Sequence, residues 1–247
     1  MIHVNYPNGA RFGNCVLIYL MSQYIAEKYN LISEPFSHQS HDIKDNFIIN
    51  HFSGTKTYKK TIEVTDDNIL DFLKLDNIDA NVVLTNSFFQ NPEIFKNLDI
   101  INKYYSYLSP LKVKETTKDL FVHVRLGDIK HNCLPFEYYE KQIKKINFTD
   151  GVISSDSPDD TIVKTLVEKF NLKIFNATPE YTVRYASQCK QLVLSAGSFS
   201  FLIGLFAKDS EKYYIDNQTM YEIFNKNSWD GGFFSAFLNK KSWNNYI

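Results

Sequence analysis

The residues whose types and spacing best suit chemistry lie in Phe121-Val-His-Val-Arg-Leu-Gly-Asp128, an apolar run ending in a basic residue, a glycine and a carboxylate. On a strand, residues two apart share a side, so His123 and Arg125 point to one face. A guanidinium stays charged at any working pH and donates a fork of hydrogen bonds, which suits a phosphate or diphosphate. Gly127 permits close approach of backbone to such a ligand, and Asp128 offers a carboxylate for orienting the arginine or for accepting a proton. The same residues also fit a strand-end arginine paired with Asp128 or another acid, with His123 as a hydrogen-bonded core residue.

Other segments share this form. Leu192-Val-Leu-Ser-Ala-Gly-Ser-Phe-Ser200 reads as a buried strand, a small-residue turn and a helix start near Ser198, where N–H groups and the helix dipole favour an anion. The alternative is an ordinary serine-capped helix. Gly151-Val-Ile-Ser-Ser-Asp156 is another apolar run with a polar end. Asp156 suits a guanine edge or ribose hydroxyls, with Ser154 and Ser155 lining the pocket, or else supports the turn before Ser157. The opening loop, Asn5 to Asn14, carries Gly9 and Gly13 but neither the dinucleotide fingerprint nor a P-loop, which disfavours nicotinamide and P-loop enzymes. His38, His41, Asp42, Asp45 and His51 lack a conventional zinc spacing, so no metal is assigned.

These residues need a scaffold. The chain has 247 residues, 44% hydrophobic and 15% aromatic, enough for one large domain or two small ones. Its formal charge of −1, from 27 basic and 28 acidic residues, provides no global field for nucleic acid. There is neither an apolar run of about 18 residues nor a secretion-signal pattern. A cytoplasmic protein without a transmembrane segment is expected, with peripheral membrane contact left open. Cys15, Cys133 and Cys189 are spaced as buried apolar residues rather than disulfide partners.

Strands are predicted at 2–4, 61–64, 81–84, 120–125, 151–154, 172–175, 191–194 and 213–215, mostly apolar without clean alternation, as in parallel sheets covered on both faces. Helices are predicted at 14–29, 66–74, 92–104, 136–145, 158–170, 179–189, 199–207 and near 219–224. Asn91-Pro92, Ser157-Pro158 and Thr178-Pro179 supply a cap followed by proline at the first helical position. The polar stretch 109–118 marks a boundary between an N-terminal α/β domain, 1–112, and a C-terminal one, 113–247, ending in an aromatic tail. A single continuous sheet has the same local pattern.

In order, these elements resemble the GDP-fucose-dependent fucosyltransferases, above all the α-1,2-fucosyltransferase family. Its His-x-Arg-x-Gly-Asp signature is matched by His123, Arg125, Gly127 and Asp128. Arg11-Phe-Gly-Asn-Cys15, Leu134-Pro-Phe-Glu-Tyr-Tyr-Glu-Lys141, Ser155-Asp156-Ser157 and Gly197-Ser-Phe-Ser200 match weaker motifs. The resemblance implies a GT-B-like α/β fold, two Rossmann-like domains with parallel sheets facing a central cleft, the donor held by the C-terminal one and the acceptor by the other. It implies an inverting glycosyltransferase that moves L-fucose from GDP-β-L-fucose to a glycan hydroxyl, α-1,2, with no required metal. The implied roles are Arg125 on the diphosphate, His123 near the nucleotide, and Ser155 and Asp156 at the guanine. Ser198, Phe199 and Ser200 would hold the phosphates, Gly13 and Asn14 would close over the donor, and Asp128 or His123 would act as base. The chain departs from the pattern at Cys15, Ser157, Ala196 and Phe201-Leu202. Those departures keep two alternatives in view: the same fold using another nucleotide sugar, and a non-catalytic sugar-nucleotide or glycan-binding module.

Overall fold

The computed structural model describes residues 1–36, 50–107, 118–127, 133–207 and 209–215. The predicted helix near 219–224, the aromatic tail, most of the 109–118 segment, Asp128, and His38, His41, Asp42 and Asp45 lie outside them. The chain is α/β and divides into two compact units, Met1–Pro110 and Leu111–Ile247.

In the first unit, β1 (Ile2–Val4), β2 (Thr61–Val64) and β3 (Asn81–Leu84) form a parallel sheet of order β1-β3-β2. The helix α1 (Phe12–Tyr29) follows β1 and is buried on nearly every side, as befits a helix with scant polar surface. It ends at Asn30, whose φ of 55° and N–H bonds to Ala26 and Glu27 carbonyls close the last turn. The short helix α2 (Ile69–Phe72) links β2 to β3. The predicted helix at 92–104 is two helices, α3 (Pro92–Lys96) and α4 (Leu98–Tyr107). Asn91 caps α3 by accepting from Glu93 N–H at 2.9 Å. Asn97 interrupts the run in an extended conformation and restarts it, accepting from Asp99 N–H at 3.0 Å and Ile100 N–H at 3.3 Å.

The second unit contains β4 (Leu120–Val124), α5 (Phe136–Ile143), β5 (Gly151–Ser155), α6 (Thr161–Phe170), β6 (Lys173–Ile174), α7 (Pro179–Ala186), β7 (Gln191–Val193), α8 (Ser198–Phe206) and β8 (Glu211–Tyr213). All its strand pairs are parallel, in the order β6-β5-β4-β7-β8. Counted within the unit this is 3-2-1-4-5: the chain builds outward from β4 through β5 and β6, then returns to the other side of β4. The strand order therefore reverses between β4 and β7, where open α/β sheets place their ligands. All five residues of β4 are buried, which accounts for its apolar character on both faces apart from His123.

Other local expectations change as well, the predicted 66–74 helix shortening to Ile69–Phe72 among them. The α6 cap is Asp160, accepting from Ile162 N–H at 3.0 Å, so Ser157-Pro158 forms a turn and not the helix start. The last strand is Glu211–Tyr213, because the edge ladder precedes the buried apolar residues Tyr214 and Ile215. Cys15 and Cys189 are buried, but Cys133 is only partly so. Among the described residues, no helix is long and apolar enough to cross a membrane.

Candidate functional site

Parallel register places the polar strand ends of the second unit side by side. Val124 of β4 pairs with Ser155 of β5, so the next residues, Arg125 and Asp156, emerge together past the ladder. Arg125 Nη1 forms an ion pair with Asp156 Oδ2, the side chains being 15% and 27% exposed. The other carboxylate oxygen accepts from Leu126 N–H at 2.9 Å. Gly127 has φ of +23°, and a Cβ there would run into the Asp156 carboxylate and approach Arg125 Nη1 at 3.1 Å. The close approach foreseen for a diphosphate is thus made by the protein's own carboxylate.

His123 lies one residue inside the end of β4, only 4% exposed. Its Nδ1 is 2.6 Å from Ser200 Oγ, and the Phe199 ring meets it edge-on at 5.2 Å. Burial, reinforced by the Arg125 charge, pushes the imidazole down to about 3, so it is neutral at working pH. A neutral, enclosed imidazole is a poor proton acceptor. Through that bond it ties β4 to α8 across the switch point, and Ser200, fully buried, is the other half of the tie.

On the β7 side, Tyr138 Oη donates to Leu194 O at 2.9 Å and Tyr139 Oη donates to Ser195 Oγ at 2.9 Å. Both phenols come from α5, and burial holds Tyr139 well above its ordinary pKa, so its proton stays on. They secure the turn 194–197, which passes through Gly197 at φ 103° before α8 begins. No side chain caps α8, and the first N–H groups of a helix have no carbonyl of their own helix to bond. Ser198 and Phe199 are half-buried there. Ser154 is buried, and Ser155 Oγ accepts from Ser157 N–H at 3.1 Å, closing the turn after β5.

The structure thus assembles His123, Arg125, Ser155, Asp156, Ser198, Phe199 and Ser200 along the carboxyl edge of one sheet. Gly13 and Asn14 belong to the first unit, in the opening turn of α1, where Asn14 Oδ1 accepts from Gln90 Nε2 at 2.8 Å. His51 bonds Tyr19 Oη through Nδ1 at 2.9 Å. Neither the anchoring by the α5 tyrosine pair nor the pairing of Asp156 with Arg125 follows from the sequence motifs. The first was visible as adjacent phenols on a helix following β4. The second required the register.

The fold and site define an α/β protein with a charged, serine-bearing strand edge at a topological switch point. No protein-family model matches the chain, and no curated protein matches it.

Proposed function

We propose that the protein is an inverting glycosyltransferase of GT-B type that transfers L-fucose from GDP-β-L-fucose to a glycan hydroxyl in α-1,2 linkage. The observation that carries this reading is the arrangement at the switch point: Arg125 leaves β4 on one side, and the uncapped start of α8 leaves β7 on the other. A cation and a helix N-terminus at one strand edge suit a diphosphate. The choice of GDP and fucose rests on the sequence resemblance. In transfer, the bond between the anomeric carbon and the diphosphate oxygen breaks as the acceptor oxygen bonds to that carbon from the opposite face. The acceptor hydroxyl proton passes to a base. Arg125 stabilises the charge growing on the leaving diphosphate. His123, neutral and enclosed, is unsuited to be the base, and Asp128 is the remaining carboxylate of the signature.

The test combines calorimetry using GDP, UDP and dTDP with a transfer assay using GDP-fucose. GDP is expected to bind in preference to the others, and Arg125→Ala is expected to lower transfer by about 10²–10³ while remaining folded. Near-normal transfer by that variant would reject the assignment. The Arg125–Asp156 pair also favours a second reading, because paired charges and a His123–Ser200 bond are what a binding module without turnover would keep. Nucleotide binding with neither transfer nor donor hydrolysis would select it.

A further inference from the structure

We propose that Asp156 competes with an incoming anion for Arg125: its carboxylate pairs with the guanidinium, and an anion must displace it to reach that cation. The inference rests on the nucleotide-sugar reading and adds to it a residue that sets how tightly anions bind.

Three features make the carboxylate a built-in occupant. The β4–β5 register delivers Arg125 and Asp156 to adjacent positions, and the missing Cβ of Gly127 makes room for the carboxylate. The third is its second hold, on Leu126 N–H. That bond does not involve the guanidinium, so Asp156 keeps a partner when Arg125 turns to a ligand. The carboxylate is therefore displaced from the arginine without being left unsatisfied, a condition for reversible exchange.

The exchange sets how strongly an anion must bind to reach Arg125. Arg125 and Asp156 together carry no net charge, so an approaching anion does not meet an unopposed cation. One phosphate oxygen replacing one carboxylate oxygen trades one charge-assisted hydrogen bond for another. A diphosphate brings more charge and more acceptor oxygens, enough to engage Arg125 and also the first turn of α8, which the His123–Ser200 bond holds against β4.

The experiment is calorimetric titration of the full chain with inorganic phosphate, inorganic pyrophosphate and GDP, using wild type, Asp156→Asn and Asp156→Glu. Asparagine retains an oxygen for Leu126 N–H but removes the charge. Asp156→Asn is expected to bind phosphate and pyrophosphate each about ten-fold or more tighter than wild type. Asp156→Glu is expected to stay near wild type. Unchanged or weaker pyrophosphate binding by Asp156→Asn, while wild type binds GDP, would overturn the inference and leave the nucleotide-sugar reading standing. Absence of binding of GDP and pyrophosphate to wild type and Asp156→Asn alike would overturn both. Carboxylate carbon NMR of wild type supplies a readout that needs no variant: the Asp156 resonance is expected to move as pyrophosphate binds, and a stationary resonance at saturation would refute the exchange.

Discussion

The protonation state of His123 carries a prediction that needs no ligand. Its imidazole is enclosed, bonded to Ser200 Oγ, and depressed to about 3 by burial and then by the Arg125 charge, against an ordinary 6.5. The unfolded chain therefore binds a proton at this residue that the folded chain refuses. Stability from this group is fully present above about pH 6.5 and is lost as pH falls toward the folded value. At about 1.36 kcal/mol per pH unit, the loss between pH 6.5 and 5 is about 2 kcal/mol. That figure requires only a folded value well below 5. The carboxylates held low by lysines, among them Glu140 and Asp150 with ordinary values of 4.5 and 3.8, have the same sign but act mainly at lower pH. His51, also lowered by burial, adds in the same direction, so the comparison must be with His123→Asn, whose amide can still meet Ser200. Urea unfolding at pH 8, 7, 6 and 5 provides the measurement. Wild type is expected to lose about 2 kcal/mol more than His123→Asn across this range. Equal pH dependence of the two proteins would refute the buried, neutral histidine.

Two other outcomes follow from the same strand edge. Gly127→Ala places a methyl against the Asp156 carboxylate in a backbone region unfavourable to side chains; a loss of about 1–3 kcal/mol is expected in urea unfolding, and wild-type stability would show that the ion pair does not crowd this position. Tyr139→Phe removes the donor to buried Ser195 Oγ, for an expected loss of about 1–3 kcal/mol with weaker GDP binding by calorimetry; intact affinity would free the α5 phenols from any part in shaping the turn before α8.

Much of the scaffold is legible in the sequence because its strands are short β-type runs and several helices carry explicit starts, although burial on both faces holds for β4 and nearly for β5 and not for β2, β6 or β8. β1, β2 and β3 lie at their predicted positions, and Asn91 and Thr178 cap as their Pro-containing motifs indicate. The failures have local causes. Ser157-Pro158 carries every sign of a helix start, yet Asp160 caps because the intervening residues form a turn closed by Asp160 N–H on Ser157 O. The α3–α4 break is invisible to periodicity because Asn97 sits inside an otherwise helical run, and its capping bonds go forward to Asp99 and Ile100. At the carboxyl edge, the ends of β4, β5 and β7 can each be read from sequence as polar points.

Which of those points meet cannot be read so easily, and the reason is physical. When one face of a sheet is solvated, alternation of polar and apolar residues fixes register, since a slip by one residue turns the core face outward. In β4 every residue is buried and in β5 nearly every one, so among the apolar residues of Leu-Phe-Val-His-Val and Gly-Val-Ile-Ser-Ser a slip exchanges one apolar contact for another at little cost. The discriminating energy must come from groups that are not interchangeable: His123, bonded to Ser200, and the charged pair at the strand ends. A one-residue slip of β5 would carry Asp156 away from both Arg125 and Leu126 N–H, leaving a charge half-buried without its partners. The pair that draws attention as chemistry therefore also serves to align the two strands, and pressure to retain Arg125 and Asp156 would come from folding as well as from ligand binding. The two contributions separate experimentally: an alignment role appears in the stability of the unliganded protein, whereas competition for an anion appears in ligand affinity at constant stability.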